Sequence, residues 1–187
     1  MTKLVASDID GTLLPEGTKD LNPEIYDIIL GLKKHDIHFV VASGRQLDSQ
    51  QQLFASVAND ISYISENGAI CMHEGQKFVI SELNRDFAMC IITEVEKRPN
   101  CKLAISTPST QYIKSGDSEF YKYICDHLSY NITVIDSFRD IDEAIVKIAF
   151  LDEVTTQESY EHFESLFGEQ IKIANAGNSW IDFIPFD

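Results

Sequence analysis

"KLVASDIDGTLL", residues 3–14, decides how the rest of the chain is read. An apolar run stops at two aspartates one residue apart, Asp8 and Asp10; Gly11, Thr12 and a second apolar pair follow. Short apolar runs mark buried parallel strands. Where such a strand ends, side chains 8 and 10 share a direction while Ile9 turns into the core. Carboxylates this close repel, and withdrawing them from water is costly unless a cation or proton offsets the charge. Gly11 lets the backbone bend without a Cβ clash. Thr12 adds a hydroxyl that can fix the loop or a carboxylate. The stretch therefore predicts two carboxylates at the mouth of a sheet, a donor set suited to Mg²⁺.

The next 60 residues repeat a strand–helix alternation. Residues 22–36 carry Ile25, Ile28, Ile29 and Leu32 at helical spacing, with Asn22 as N-cap and Pro23 at the first helical position. Residues 37–43 predict a second strand, 47–58 a second helix and 62–67 a third strand. This order specifies an α/β fold with a Rossmann-like parallel sheet, whose ligands sit at the carboxyl ends of strands. Three polar clusters fall there: residues 8–12, Ser43-Gly44-Arg45 and Glu66-Asn67-Gly68. Ser43, with the amides that follow it, is a ready anion site. Arg45 reads either as a phosphate contact or as an ion-paired side chain, and Asn67 as a substrate-facing contact or a tight turn.

A hairpin over 69–80, turning near His73-Glu74-Gly75, ends this part. The remainder predicts helices at 84–98, 117–129, 139–144 and 155–167. Strands are predicted near 102–106, 110–114, 132–135, 146–151, 170–174 and 179–184. Paired strands between helices predict an α+β domain with an antiparallel sheet. The predicted division is a core over 1–82 and a second domain over 83–187. Tyr112, Phe120, Tyr121, Tyr123, Trp180 and Phe183 read as packing residues of the latter.

Composition removes several function classes. Fifteen Lys and Arg against thirty Asp and Glu give a net charge of −15. Such a balance argues against nucleic acid or an anionic membrane as partner, since both reward a basic face. It leaves room for a small anionic substrate in a locally positive site. Cys71, Cys90, Cys101 and Cys125 form no C-x-x-C pair and read as reduced thiols. His35, His38, His73, His127 and His162 are scattered and predict no metal knuckle. No apolar run reaches the roughly 20 residues of a membrane helix, and the first residues have no signal-peptide pattern. The expectation is a cytoplasmic protein.

The motifs resemble a known family. "DIDGTLL" (8–14) is similar to the first motif of the haloacid dehalogenase superfamily, in its Cof-like sugar-phosphatase branch. "VVASGR" (40–45) resembles its second motif, and "SENGA" (65–69) the loop after the third strand. The resemblance implies a large α/β cap inserted after the third strand. It implies Mg²⁺-dependent hydrolysis of a phosphate monoester, on a small phosphorylated metabolite such as a sugar phosphate. Asp8 would be the nucleophile and Asp10 the acid/base. Mg²⁺ would take the Asp8 carboxylate and the Asp10 carbonyl. Thr12, Ser43, Gly44, Arg45 and Asn67 would face the phosphate or its loop.

The family pattern continues with a lysine motif and a Gly-Asp-x-x-Asn-Asp strand, neither of which occurs in these 187 residues. Lys147 and Lys172 lie in predicted cap strands, and Asp182 and Asp187 lack the acidic motif's surroundings. An incomplete core should weaken metal binding and raise repulsion at Asp8. It should also expose the edge of the first strand to self-association. Two alternatives stand beside the phosphatase: a phosphomutase of the same superfamily, and an inactive binding or regulatory remnant.

Overall fold

The computed structural model describes residues 2–15, 17–177 and 179–186; Asp187 and the side chain of His127 lie outside the described residues. The chain divides into two compact units, Met1–Ile80 and Ser81–Asp187.

The first unit runs β1 (Leu4–Ser7), α1 (Glu24–Lys34), β2 (His38–Ala42), α2 (Leu47–Leu53), β3 (Ile61–Ser65), β4 (Ile70–His73) and β5 (Gln76–Val79). Its strands lie side by side in chain order. β1, β2 and β3 are parallel, with Val5 opposite Phe39 and Phe39 opposite Ile61. The hairpin then adds β4 and β5 antiparallel to the same sheet, so the sheet is mixed rather than wholly parallel. Glu74 and Gly75 both take positive φ, which a two-residue hairpin turn requires.

Asn22 Oδ1 accepts the Glu24 amide at 3.1 Å and opens α1. Acids in its first turn and lysines in its last complement the helix dipole. Ile29 is buried, but Ile28 is 60% exposed, so the inward face of α1 is narrower than its apolar spacing predicts. α2 stops at Leu53, short of the predicted residue 58. A 3₁₀ turn over Ala55–Val57 replaces its last turn, and Phe54 and Val57 both bury. Two of the histidines that look scattered in sequence meet. The Ser62 hydroxyl lies 2.8 Å from His38 Nε2 and 2.7 Å from His73 Nδ1, because β2, β3 and β4 are adjacent.

Among the described residues β1 pairs with β2 alone, and Leu4 is 54% exposed. The Leu-Val-Ala-Ser strand carries none of the charges or prolines that normally blunt an edge.

The second unit is a six-stranded sheet with helices α3 (Arg85–Val95), α4 (Ser118–Tyr123) and α5 (Thr156–Phe167). Its strands are β6 (Lys102–Ser106), β7 (Gln111–Lys114), β8 (Ile132–Ile135), β9 (Lys147–Leu151), β10 (Lys172–Ala176) and β11 (Trp180–Ile184), ordered β10-β11-β9-β6-β7-β8. The sheet is antiparallel except for β7 and β8, which pair in parallel because α4 carries the chain back before β8 starts. The helix predicted at 139–144 is only a 3₁₀ turn over Phe138–Asp140. The main core gathers Ile91, Ile105, Phe150, Phe163 and Phe183, and Phe120, Ile124 and Trp180 build a smaller cluster. Tyr121, expected in the core, is 42% exposed. All four cysteines are free thiols. No helix among the described residues is long and apolar enough to cross a membrane.

Asp152 ties the end of β9 to the start of α5. Its Oδ1 accepts the Val154 and Thr155 amides at 3.1 and 2.9 Å, and its Oδ2 accepts the Ser159 hydroxyl at 2.5 Å. Burial pushes this carboxyl up, but the hydrogen bonds from Ser159, Thr155 and Val154 outweigh it and hold it at about 2.

Two outcomes are expected. The Asp152 contribution is whole above its ordinary value of 3.8 and is lost as pH falls through about 2. Asp152→Asn should therefore lower Tm near neutrality, and its gap to wild type should shrink between pH 4 and 2; a gap constant across that range contradicts the assignment. The open edge predicts concentration-dependent self-association that Leu4→Lys suppresses in sedimentation velocity. A wild type monomeric across the same concentration series rules this out.

Candidate active site

All seven residues singled out by sequence lie in the first unit, in the segments that follow β1, β2 and β3. After β1 the backbone folds onto one atom. The Ile9 carbonyl accepts the amides of Thr12, Leu13 and Leu14 at 3.1, 2.9 and 2.9 Å, while Gly11 at φ +74 returns its own amide to Leu14. Ile9 is fully buried, and Asp8 and Asp10 are exposed on either side of it. This main-chain knot, rather than the Thr12 hydroxyl, fixes the loop.

Asp10 and Arg45 form a two-point ion pair. Arg45 Nε donates to Oδ2 at 2.9 Å and Nη2 to Oδ1 at 2.7 Å, across 35 residues of sequence. The Arg45 side chain is 16% exposed and that of Asp10 56%, so the arginine is the better-anchored partner. Paired forks of this kind set orientation as well as energy. The structure shows Arg45 ion-paired with Asp10.

The Ser43 hydroxyl accepts the Arg45 amide at 3.2 Å, closing a tight turn. A Cβ on Gly44 would stand 2.6 Å from Asn67 Oδ1, so the absence of a side chain at 44 is what admits Asn67. Glu66 and Asn67 hold φ of 50 and 57, a left-handed conformation that non-glycine residues seldom adopt. Such backbone persists where its surroundings over-determine it. Here the Arg45 carbonyl does so, accepting the Glu66 amide at 3.1 Å.

Gln50 escaped the sequence reading. It is fully buried on α2, and its Nε2 donates to the Arg45 carbonyl at 3.0 Å and to the Ile64 carbonyl at 3.3 Å. It stitches the loop after β2 to the end of β3. The one local signal is a glutamine one turn into a helix that starts beside Ser-Gly-Arg.

The structure thus joins Asp10 to Arg45, Ser43 to the Arg45 amide, and Gly44 to Asn67. Asp8 and Thr12 stand at the same loop without a side-chain hydrogen bond to the others. Asp8 and the Asp10 carbonyl are oxygen donors, which fits a hard divalent cation in kind. Among the described residues no group of three His, Cys, Asp or Glu side chains gathers to hold a metal.

Comparison with known proteins gives one consistent result. A family model described as haloacid dehalogenase-like hydrolase matches residues 5–187. The chain is 26% identical over 185 residues to the 5-amino-6-(5-phospho-D-ribitylamino)uracil phosphatase YbjI of Escherichia coli (strain K12), covering 97% of this chain and 68% of that protein. It is 29% identical over 167 residues to YxeH of Bacillus subtilis (strain 168), covering 81% of this chain and 58% of that protein. A crystal structure from Eubacterium rectale superimposes with a TM-score of 0.82 at 27% identity, covering 98% of this chain and 71% of that one.

The double bond from Gln50 yields a stability test. Gln50→Met keeps the volume but strips a donor from two buried carbonyls, at an expected cost of roughly 1–3 kcal/mol in urea unfolding. A change below about 0.5 kcal/mol would mean that water replaces the amide.

Proposed function

The chain belongs to the haloacid dehalogenase-like hydrolase family, in its Cof-like branch, and from that premise we propose that it hydrolyses a phosphate monoester through an aspartyl-phosphate. The observation that carries this reading is the loop after β1. Asp8 and Asp10 are exposed on either side of buried Ile9, and Arg45 grips Asp10 from the loop after β2.

Asp8 has the free carboxylate. One of its oxygens forms the bond to phosphorus as the bond to the ester oxygen breaks. Asp10, oriented by Arg45, gives its proton to that leaving oxygen. It can do so only when one of its oxygens releases the guanidinium, so Arg45 both aims Asp10 and restrains it. In the second half, water attacks phosphorus, Asp10 takes its proton, and Asp8 is regenerated as inorganic phosphate leaves. The Ser43 hydroxyl, which accepts the Arg45 amide and keeps its own hydrogen to give, would donate to a phosphate oxygen. The Asp8 carboxylate and the Asp10 carbonyl would hold Mg²⁺, which would supply screening between the anionic ester and the attacking carboxylate.

The substrate class follows by likeness. YbjI is named for a phosphate on a ribityl chain. A small phosphorylated metabolite of sugar type is the matching substrate here, with a phosphomutase distinguished by an isomerised sugar phosphate in place of inorganic phosphate. One observation favours a second reading, a binding or regulatory remnant: no third carboxylate joins Asp8 and Asp10 among the described residues.

Turnover of p-nitrophenyl phosphate with Mg²⁺ tests both. Asp8→Asn should abolish it, by about 10³-fold or more. Turnover surviving that substitution removes Asp8 as nucleophile. Absent turnover in wild type, with vanadate and Mg²⁺ still binding in calorimetry, supports the remnant.

A further inference from the structure

At the end of the core sheet opposite the Asp8 loop, two imidazoles close on one hydroxyl. His38 opens β2, Ser62 lies near the start of β3 and His73 ends β4. Val40 stands opposite Ser62 and Tyr63 opposite Met72, so the three side chains share one face of the sheet. The Ser62 Oγ is 2.8 Å from His38 Nε2 and 2.7 Å from His73 Nδ1. Ser62 is buried, His38 half-buried and His73 exposed, so the cluster is reached from solvent past His73.

A hydroxyl carries one hydrogen. Ser62 can donate it to one ring and accept an N–H from the other, so one inward nitrogen already presents its lone pair. The ring that donates can exchange tautomer, moving its proton to its other nitrogen. Both rings then aim lone pairs at one point, and neither is ionised. The ring centres are 5.4 Å apart and the planes lie at 88°. With Zn–N of about 2.0–2.1 Å and a tetrahedral angle, two imidazoles on one ion have ring centres roughly 5 Å apart. The pair stands close to the separation that chelation requires.

We propose that His38 and His73 chelate a divalent transition metal of the Zn²⁺ type, through His38 Nε2 and His73 Nδ1. Imidazole suits Zn²⁺, Cu²⁺ and Ni²⁺, whereas Mg²⁺ takes oxygen ligands. The site therefore differs in kind from the Asp8 carboxylate and Asp10 carbonyl. No third His, Cys, Asp or Glu joins it among the described residues, so water completes the shell and the ion is exchangeable, unlike that of a closed structural centre. The Ser62 hydroxyl, released by both rings, is not a required ligand. The ion ties β2 to β4 across β3 and stabilises the first unit by mass action. The site shares no residue with the Asp8 loop, so its existence does not rest on the phosphatase reading.

The full chain, stripped with EDTA and exchanged into chelator-free buffer, is titrated with ZnCl₂ in excess Mg²⁺ by calorimetry, and the imidazole signals are followed by NMR. Saturable one-to-one binding is expected, with the His38 and His73 signals shifting together and those of His35 and His162 still. His38→Gln and His73→Gln should each weaken binding by about ten-fold or more, and Ser62→Ala, Asp8→Asn and His162→Gln should leave it within about two-fold. Zn²⁺ should raise the Tm of wild type and of Ser62→Ala, but of neither histidine variant. Binding should fall as pH drops through about 6.5, where protons take the imidazole lone pairs. His73 is exposed, so His73→Gln guards against a folding defect at His38. No saturation in wild type overturns the proposal, as does affinity unchanged in either histidine variant. Binding lost in Asp8→Asn or His162→Gln overturns it by moving the ion to the β1 loop or to the His162–Glu94 pair. Binding lost in Ser62→Ala overturns chelation by the two imidazoles alone.

Discussion

Arg45 holds the Asp10 carboxylate in a two-point grip, from the loop after β2 to the loop after β1. The same residue acts through its main chain. Its amide closes on Ser43, and its carbonyl receives Glu66 and Gln50. One residue therefore couples the ends of β1, β2 and β3, and displacing it would loosen all three loops together. The left-handed Glu66-Asn67 pair and the bare Gly44 beneath Asn67 follow from how tightly those loops are drawn.

Much of this is legible in the order of residues. The β-α-β-α-β alternation, the place of the three polar clusters and the buried Ile9 between exposed aspartates all follow from period and strand chemistry. What fails does so for physical reasons. Ile28 has the right spacing but lies at the margin of a narrow buried stripe, and periodicity cannot say how wide a stripe its partner covers. α2 gives way to a 3₁₀ turn because burying both Phe54 and Val57 outweighs continued helix. The parallel β7–β8 pair depends on where α4 delivers the chain, which no local pattern records. Gln50 and the His38–Ser62–His73 contact are products of strand and helix adjacency, invisible until the sheet is assembled.

The two units treat buried polarity alike. In the first, Gln50 serves two carbonyls. In the second, Asp152 answers two amides and two hydroxyls, Thr155 and Ser159, at the start of α5. Beside it, burial and the Asp152 charge push the Cys101 thiol up to about 11, which keeps it protonated and unreactive. In both places a buried polar side chain is paired with backbone groups that would otherwise go unsatisfied.

The strand orders carry a consequence for biosynthesis. The core sheet runs β1-β2-β3-β4-β5, so each strand docks on the one made just before it. These five strands can assemble stepwise as the chain leaves the ribosome, the last of them ending at Val79. The other sheet offers no such order. Its β9 lies between β6, made some forty residues earlier, and β11, made some thirty residues later. That unit must wait for nearly its whole length before its middle strand is enclosed, and during translation it is the half exposed to misfolding.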